Sequence, residues 1–492
     1  MTTTDDPAES APPTLKDGSV VQDDGTKRQF ISWLTLAFMT TASVASLRPS
    51  PSMAIYGLAA IFLYLLPALV FLLPTALVGA ELASGWSGGI YRWVSEALGK
   101  PLGFLAVWCQ FAMTIAYYPS LLAYVASTFA YVIDPSLAEN GLYVAIVIVV
   151  VYWTGVWVSS RGTRTIAGLS SFGLVIGTLI PGVLLVVLGL VFLGQGNPSA
   201  QPMSADHWLP PWTGLASLVL IVNNFLSYAG MEMNGVHVSS LREPKREYPK
   251  SMFLATGLVL LIFILPALAI AWVMPAEQLS LTAGLMQAFQ AFFDHFSIGW
   301  MTKVVGLMLV CAALGGMLTW LAGPAKGLVL LSRQEGYLPP VFQKFNKGGA
   351  PMNIMVAQGV VTTLIGVLYA FSDNVSSAYW MFSVITVQIY LIAYLLMFAA
   401  VVRLRRTRPE VERGFRVPAV GWVAGIGFVA SVAALVIGFV PPDQFGDQPL
   451  WRYLLIVGGG LLVLGLLIPG ALLKYRKPGW IHPDHREPST TP

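Results

Sequence analysis

The sequence predicts an all-α polytopic membrane protein: about twelve transmembrane helices in a five-plus-five inverted repeat, with helices one and six broken, plus two C-terminal helices. Three observations predict it. The charges are too few to cover a water-soluble surface. The chain divides into about a dozen apolar runs. The first and sixth of those runs are interrupted by polar residues together with proline or glycine.

Of the 492 residues, 56% are hydrophobic and only 11% are charged, against roughly 25% charged in a soluble domain. About 20 apolar residues span a bilayer. Runs long enough lie at 29–47, 53–83, 102–133, 141–159, 166–193, 212–241, 252–274, 298–331, 353–371, 376–402, 420–440 and 453–473. The eighth is entered from a re-entrant-like stretch. The tail 1–28, rich in Asp, Thr, Pro and Ser, reads as disordered. No cleavable signal precedes the first run, so that run reads as an uncleaved start signal. Residues 29–473 then form one membrane domain. Repeat one covers about 29–193, repeat two about 212–402, the extra helices 420–473, and 474–492 is a second tail.

Charge fixes the expected orientation. With both termini cytoplasmic, every Lys and Arg except Arg48, Lys303 and Arg452 falls in a tail or an alternate loop on that side, including Lys16, Arg164 and Arg486. That asymmetry is what the positive-inside rule demands, and it suits a multi-pass protein of a bacterial inner membrane. It also accounts for the net charge of +4 without nucleic-acid binding. Cys109 and Cys311 lie in apolar runs and read as buried small side chains. Neither a disulfide framework nor metal-ligand spacing is present, so no metal or other cofactor is expected.

The first run contains Thr40, Thr41, Ser43 and Ser46, then Arg48, Pro49 and Pro51. The sixth contains Asn223, Asn224, Ser227, Gly230, Glu232, Asn234 and Gly235. Proline removes a backbone donor and glycine raises the conformational cost of a helix. Irregular backbone at membrane depth survives only where it lines a cavity or is packed in protein. Two polar breaks five helices apart are the pattern of an inverted-repeat transporter, whose half-helix ends face a central site. Free N–H groups there attract a carboxylate and free carbonyls an ammonium, so a zwitterionic amino acid matches both.

Four segments carry a resemblance. Residues 225–249, FLSYAGMEMNGVHVSSLREPKREYP, resemble the sixth span and following loop of the amino acid–polyamine–organocation superfamily. Within them, Tyr-Ala-Gly-Met-Glu followed by Pro-Lys-Arg-x-Tyr-Pro is most similar to the glutamate/GABA antiporter group. Residues 43–57, 80–93 and 320–340 resemble that group's first span, the end of its second span and the end of its eighth, in the same order. The resemblance implies secondary transport of an amino acid, by exchange for a related amino acid or its decarboxylation product. Proton-coupled uptake of an amino acid or amine is the alternative. Substrate, counter-substrate and protons would be the partners of a monomer or homodimer in the lipid bilayer. The chain departs from the group in a shorter loop at Trp86–Gly89 and a shorter tail after Leu473. A longer tail plugs the cytoplasmic mouth in that group, so the substrate pair stays open. An intramembrane enzyme would need a paired catalytic set and a channel a filter or charged rings; the sequence offers neither.

The candidate site follows from the breaks. The N–H groups of Ser43, Val44, Ala45 and Ser46, with a serine hydroxyl, would hold an α-carboxylate, unless these small residues serve close helix packing. The carbonyls of Ser227, Tyr228, Ala229 and Gly230 would hold the α-ammonium; the resemblance implies main-chain substrate contacts there. Glu232, the single carboxylate deep in a span, is a candidate for taking up a proton, and the resemblance implies a part in gating or proton sensing. Arg48 either clamps a side-chain carboxylate of an acidic substrate or snorkels to the outer interface. Glu81, Lys326 and Arg333 are gate ion pairs or interface anchors. Tyr117, Tyr118, Tyr379, Trp380 and Tyr394 are candidate pocket walls. His237 reads as a helix-end residue, and His482 and His485 as residues of a solvated tail.

Overall fold

In the computed structural model, residues 19–21, 27–161, 173, 175–212, 214–372, 374–443 and 449–485 are described. Lys16, Arg164, Arg486 and the start of the fifth predicted span at 166–172 lie outside them.

Among the described residues, eleven helices are long and apolar enough to cross a membrane. They are Gly57–Gly85, Lys100–Ile133, Gly141–Ser159, Val175–Gly194, Leu215–Met233, Pro244–Val273, Met301–Glu335, Met352–Phe371, Val375–Thr407, Val420–Ile437 and Leu450–Lys474. The shorter apolar helix Trp33–Val44 and the five residues Ser50–Ala54 are the two halves of a broken first span. Met53 and Ala54, expected at the start of the second span, therefore belong to the first. Gly57, at φ 54°, turns the chain between them. The re-entrant-like stretch is a separate helix, Gly284–His295. Of the tail expected to be disordered, Ser19–Val21 pairs antiparallel with Lys27–Gln29.

Polar residues mark the helix starts. The Ser32 hydroxyl accepts from Thr35 N–H at 3.0 Å, Asn140 from Tyr143 N–H at 3.0 Å, and Asn374 from Ser377 N–H at 2.8 Å. Each satisfies a first-turn donor that has no intrahelical partner. Gly336, at φ 71°, ends the eighth span, as a left-handed cap requires.

Burial orders the spans. The most apolar windows of Lys100–Ile133 and Val375–Thr407 are 83% and 78% buried, those of Val420–Ile437 and Leu450–Lys474 only 22% and 17%. Spans three and ten thus form the centre, and the last two spans stand at the periphery with apolar faces outward, as lipid permits. Cys109 is buried as expected, but Cys311 is exposed. An apolar thiol in a membrane helix has no need of protein cover, which is why its place could not be read from the sequence.

Candidate functional site

The two breaks meet at one cavity of about 620 Å³, walled by spans one, three, five, six, eight and ten. In the first span the helix ends at Val44; the Ala45 N–H makes the last intrahelical bond, to the Thr41 carbonyl at 2.9 Å. Residues 45–49 leave the helix before Ser50 resumes it. Among the described residues the N–H groups of Ser46 and Leu47 donate to no backbone carbonyl. In the sixth span the helix Val222–Tyr228 stops where Ala229 becomes extended (φ −68°, ψ 140°). Gly230 follows at φ 106°, a conformation in which a side chain would be strained.

Ser43, Val44, Ala45, Ser46, Arg48, Ser227, Ala229 and Gly230 all line this cavity. Tyr228 does not. It is fully buried, and its hydroxyl donates to the Tyr64 carbonyl at 2.9 Å. One residue before an extended link, its side chain turns to span two while its neighbours face the cavity.

Arg48 is 9% exposed, too buried for a snorkelling side chain. Its Nε donates to the Tyr379 hydroxyl at 3.1 Å. Its Nη2 donates to Ser120 Oγ at 2.7 Å and to Ser383 Oγ at 3.4 Å. The guanidinium carbon lies 5.3 Å and 5.0 Å from the ring centres of Tyr117 and Tyr379, within cation–π range. Among the described residues no carboxylate contacts Arg48. A buried cation is here held by hydroxyls and ring faces.

Glu232 lies behind the cavity wall and is 2% exposed. Its Oε1 accepts from the Tyr390 hydroxyl at 2.9 Å. Its Oε2 accepts from the Tyr394 hydroxyl at 2.8 Å and from Gly230 N–H at 3.1 Å. Gly230 N–H also donates to the Tyr394 hydroxyl at 3.0 Å. Tyr390 lines the cavity, so one hydroxyl separates Glu232 from it. Gly79 of span two lets the Glu232 backbone this close: a Cβ added there would stand 2.8 Å from the Glu232 Cβ.

The remaining candidates scatter. Glu81, fully buried, pairs with Arg405, with Arg413 at 3.5 Å, and with the Val417 N–H at 2.7 Å. That cluster fastens the loop between spans ten and eleven onto the end of span two. Lys326 is exposed and forms no ion pair among the described residues. Arg333 donates to the Gln343 carbonyl at 3.0 Å and covers the Phe345 ring. Tyr117 and Tyr379 line the cavity. Tyr118 packs on Tyr152, and the Trp380 indole donates to the Tyr453 hydroxyl at 3.2 Å, away from it. His237 is half-buried. In the tail, His482 N–H donates to the Arg333 carbonyl at 2.9 Å, and its ring lies 3.2 Å from Asp484. Sequence reasoning missed Tyr124, Asn223, Trp320 and Tyr390 of the lining, and the Ser120 and Ser383 hydroxyls on Arg48. Asn223 stood in the quoted break and was legible there. The aromatics look like any others in an apolar run.

The geometry has counterparts in known proteins. The sequence profile of the family described as amino acid permease matches residues 31–462. An uncharacterized transporter of Legionella pneumophila is 35% identical, over 91% of this chain and 97% of its own length. A glutamate/gamma-aminobutyrate antiporter of Lactococcus lactis is 31% identical, over 87% of each chain. The crystal structure of MhsT in complex with L-phenylalanine superposes with a TM-score of 0.55 at 16% identity, covering 84% of this chain and 99% of that one, a likeness of fold. With a profile match from the first span into the last and relatives aligned over nearly the whole length, the chain belongs to the amino acid permease family.

Proposed function

We propose that this permease exchanges an acidic amino acid, glutamate-like, for a related amino acid or its decarboxylation product by alternating access. The observation that carries the reading is Arg48: a buried guanidinium in the cavity wall with no carboxylate partner among the described residues. A guanidinium binds a carboxylate through parallel N–H donors, and a substrate carboxylate would supply the missing counter-charge. The unengaged N–H groups of Ser46 and Leu47 suit an α-carboxylate. Of the first-span candidates this favours Ser46, because Ala45 has spent its N–H within the helix. The Ala229 carbonyl, at the end of the sixth-span half-helix, suits the α-ammonium. The antiporter names among the relatives support exchange.

The same reading puts the protein in a bacterial inner membrane with both termini cytoplasmic, supported by the Lys and Arg asymmetry. Proton-coupled uptake is the second reading, favoured by Glu232, which one tyrosine hydroxyl links to the cavity. Counterflow in proteoliposomes separates the two. For the exchanger, labelled glutamate accumulates only in vesicles preloaded with unlabelled glutamate or gamma-aminobutyrate, with or without a protonophore. Accumulation in empty vesicles that a protonophore abolishes would overturn exchange in favour of proton symport.

A further inference from the structure

A second cavity of about 540 Å³ opens on the outer side of the bundle, between spans ten and eleven and remote from the breaks. Its floor is apolar: Phe398 and Ala424 are buried in it and Phe428 stands along its side. Its shape comes from small residues, because a Cβ added at Gly421 or Gly425 would meet nothing within 4 Å. At its mouth stand Arg403 and Arg406, both exposed.

The arginines of this stretch divide sharply. Arg405 turns inward to Glu81, Arg413 also reaches Glu81, and Arg408 lies 3.8 Å from Glu96 and 3.9 Å from Glu410. Arg403, Arg406 and Arg416 have no acidic partner among the described residues, and of these Arg403 and Arg406 line the groove. Trp422, 77% exposed one residue beyond Gly421, marks the level at which amphipathic rings meet lipid headgroups. An apolar groove leading away from two unpaired cations at that level complements a molecule with an anionic head and a hydrocarbon tail. Basic pockets between membrane helices hold anionic lipid headgroups by this chemistry, and a volume near 540 Å³ falls in the roughly 300–1,000 Å³ range of ligand sites.

We propose that the groove between spans ten and eleven binds one anionic phospholipid, its phosphate on Arg403 and Arg406 and an acyl chain along Phe398, Ala424 and Phe428. The occupant is a bilayer lipid and not a soluble phosphate: two exposed arginines hold a free anion weakly in water, and the apolar floor offers it nothing.

The test is native mass spectrometry of the full-length protein, delipidated in detergent and titrated with phosphatidylglycerol, phosphatidylcholine or inorganic phosphate. The wild type should retain one phosphatidylglycerol per chain with a roughly 30-fold preference over phosphatidylcholine, about fivefold from each arginine. The double variant Arg403→Ala/Arg406→Ala should lose that preference, and Arg403→Lys/Arg406→Lys should keep most of it. Gly425→Leu fills the groove from a position with open space around it and should cost retention of both lipids while leaving the arginines in place. Equal retention of the two lipids by the wild type, or undiminished phosphatidylglycerol on the double alanine variant, would overturn the proposal. So would undiminished lipid on Gly425→Leu, or phosphate displacing the lipid at equal concentration.

Discussion

Arg48 and Glu81 are both buried charges close to a helix end, yet their surroundings are opposite. Glu81 is saturated: two guanidinium groups and a backbone N–H converge on one carboxylate. Arg48 is not neutralised among the described residues: hydroxyls and ring faces surround it, and no carboxylate of those residues does. Removing an ion from water is costly, and a fold retains one only if the loss is recovered. At Glu81 the recovery comes from within the protein, from Arg405, Arg413 and the Val417 N–H. At Arg48 it is incomplete, and the missing part lies where a ligand can enter. What separates the two buried charges is the partner that one of them lacks among the described residues.

Three measurements would break or sharpen that contrast. Glu81→Ala strands Arg413, whose side chain is only 1% exposed, and should cost about 3 kcal/mol, the loss typical of breaking a buried pair. Thermal unfolding of the detergent-purified variant should show it equally with and without substrate. An unchanged midpoint would mean the cluster is dispensable and the comparison empty. Arg48→Ala removes a cation with no carboxylate partner among the described residues, so its unfolding midpoint should stay near wild type. Binding of an acidic amino acid should weaken by roughly 10–100-fold, the range for one charge-assisted contact, and binding of a neutral one far less. Equal loss for both would return Arg48 to a packing role. The smallest effect belongs to Glu232→Gln. It keeps the shape but turns one oxygen into a donor facing donors already supplied by Tyr390, Tyr394 and Gly230. Affinity should fall only a few-fold, about 1 kcal/mol, while the pH dependence of transport flattens. A pH profile identical to wild type would exclude Glu232 from proton handling.

The breaks were legible because proline, glycine and small hydroxyl residues are conspicuous inside apolar runs. The partners were not. Glu81 meets Arg405 across 324 positions of sequence, and no local spacing signals such a pair. Tyr390 and Trp320 line the cavity while Tyr118 and Trp380 pack elsewhere. Spans three and ten are buried almost all round, so they carry no polar face from which an inward direction could be read. For Arg48 the sequence left clamp and snorkel equally open, and only its three hydroxyl partners from spans three and ten, Ser120, Tyr379 and Ser383, show that the side chain turns inward.

The contact at Gly79 has a kinematic consequence. A Cβ there would collide with Glu232, and one at Gly235 would stand 2.9 Å from the Gly79 carbonyl. Span two and the second half of span six are therefore keyed together at backbone distance and can neither slide nor roll past each other independently. The first half of span six is joined to that pair by the extended link at Ala229 and Gly230. That first half is bonded to span two as well, through the Asn224 amide on the Leu63 carbonyl at 2.9 Å and the Tyr228 hydroxyl on the Tyr64 carbonyl at 2.9 Å. The Glu232 carboxylate is held against span two, while the wall it faces, Tyr390 and Tyr394, belongs to span ten. Its hydrogen bonds thus double as a gauge of the relative position of the two.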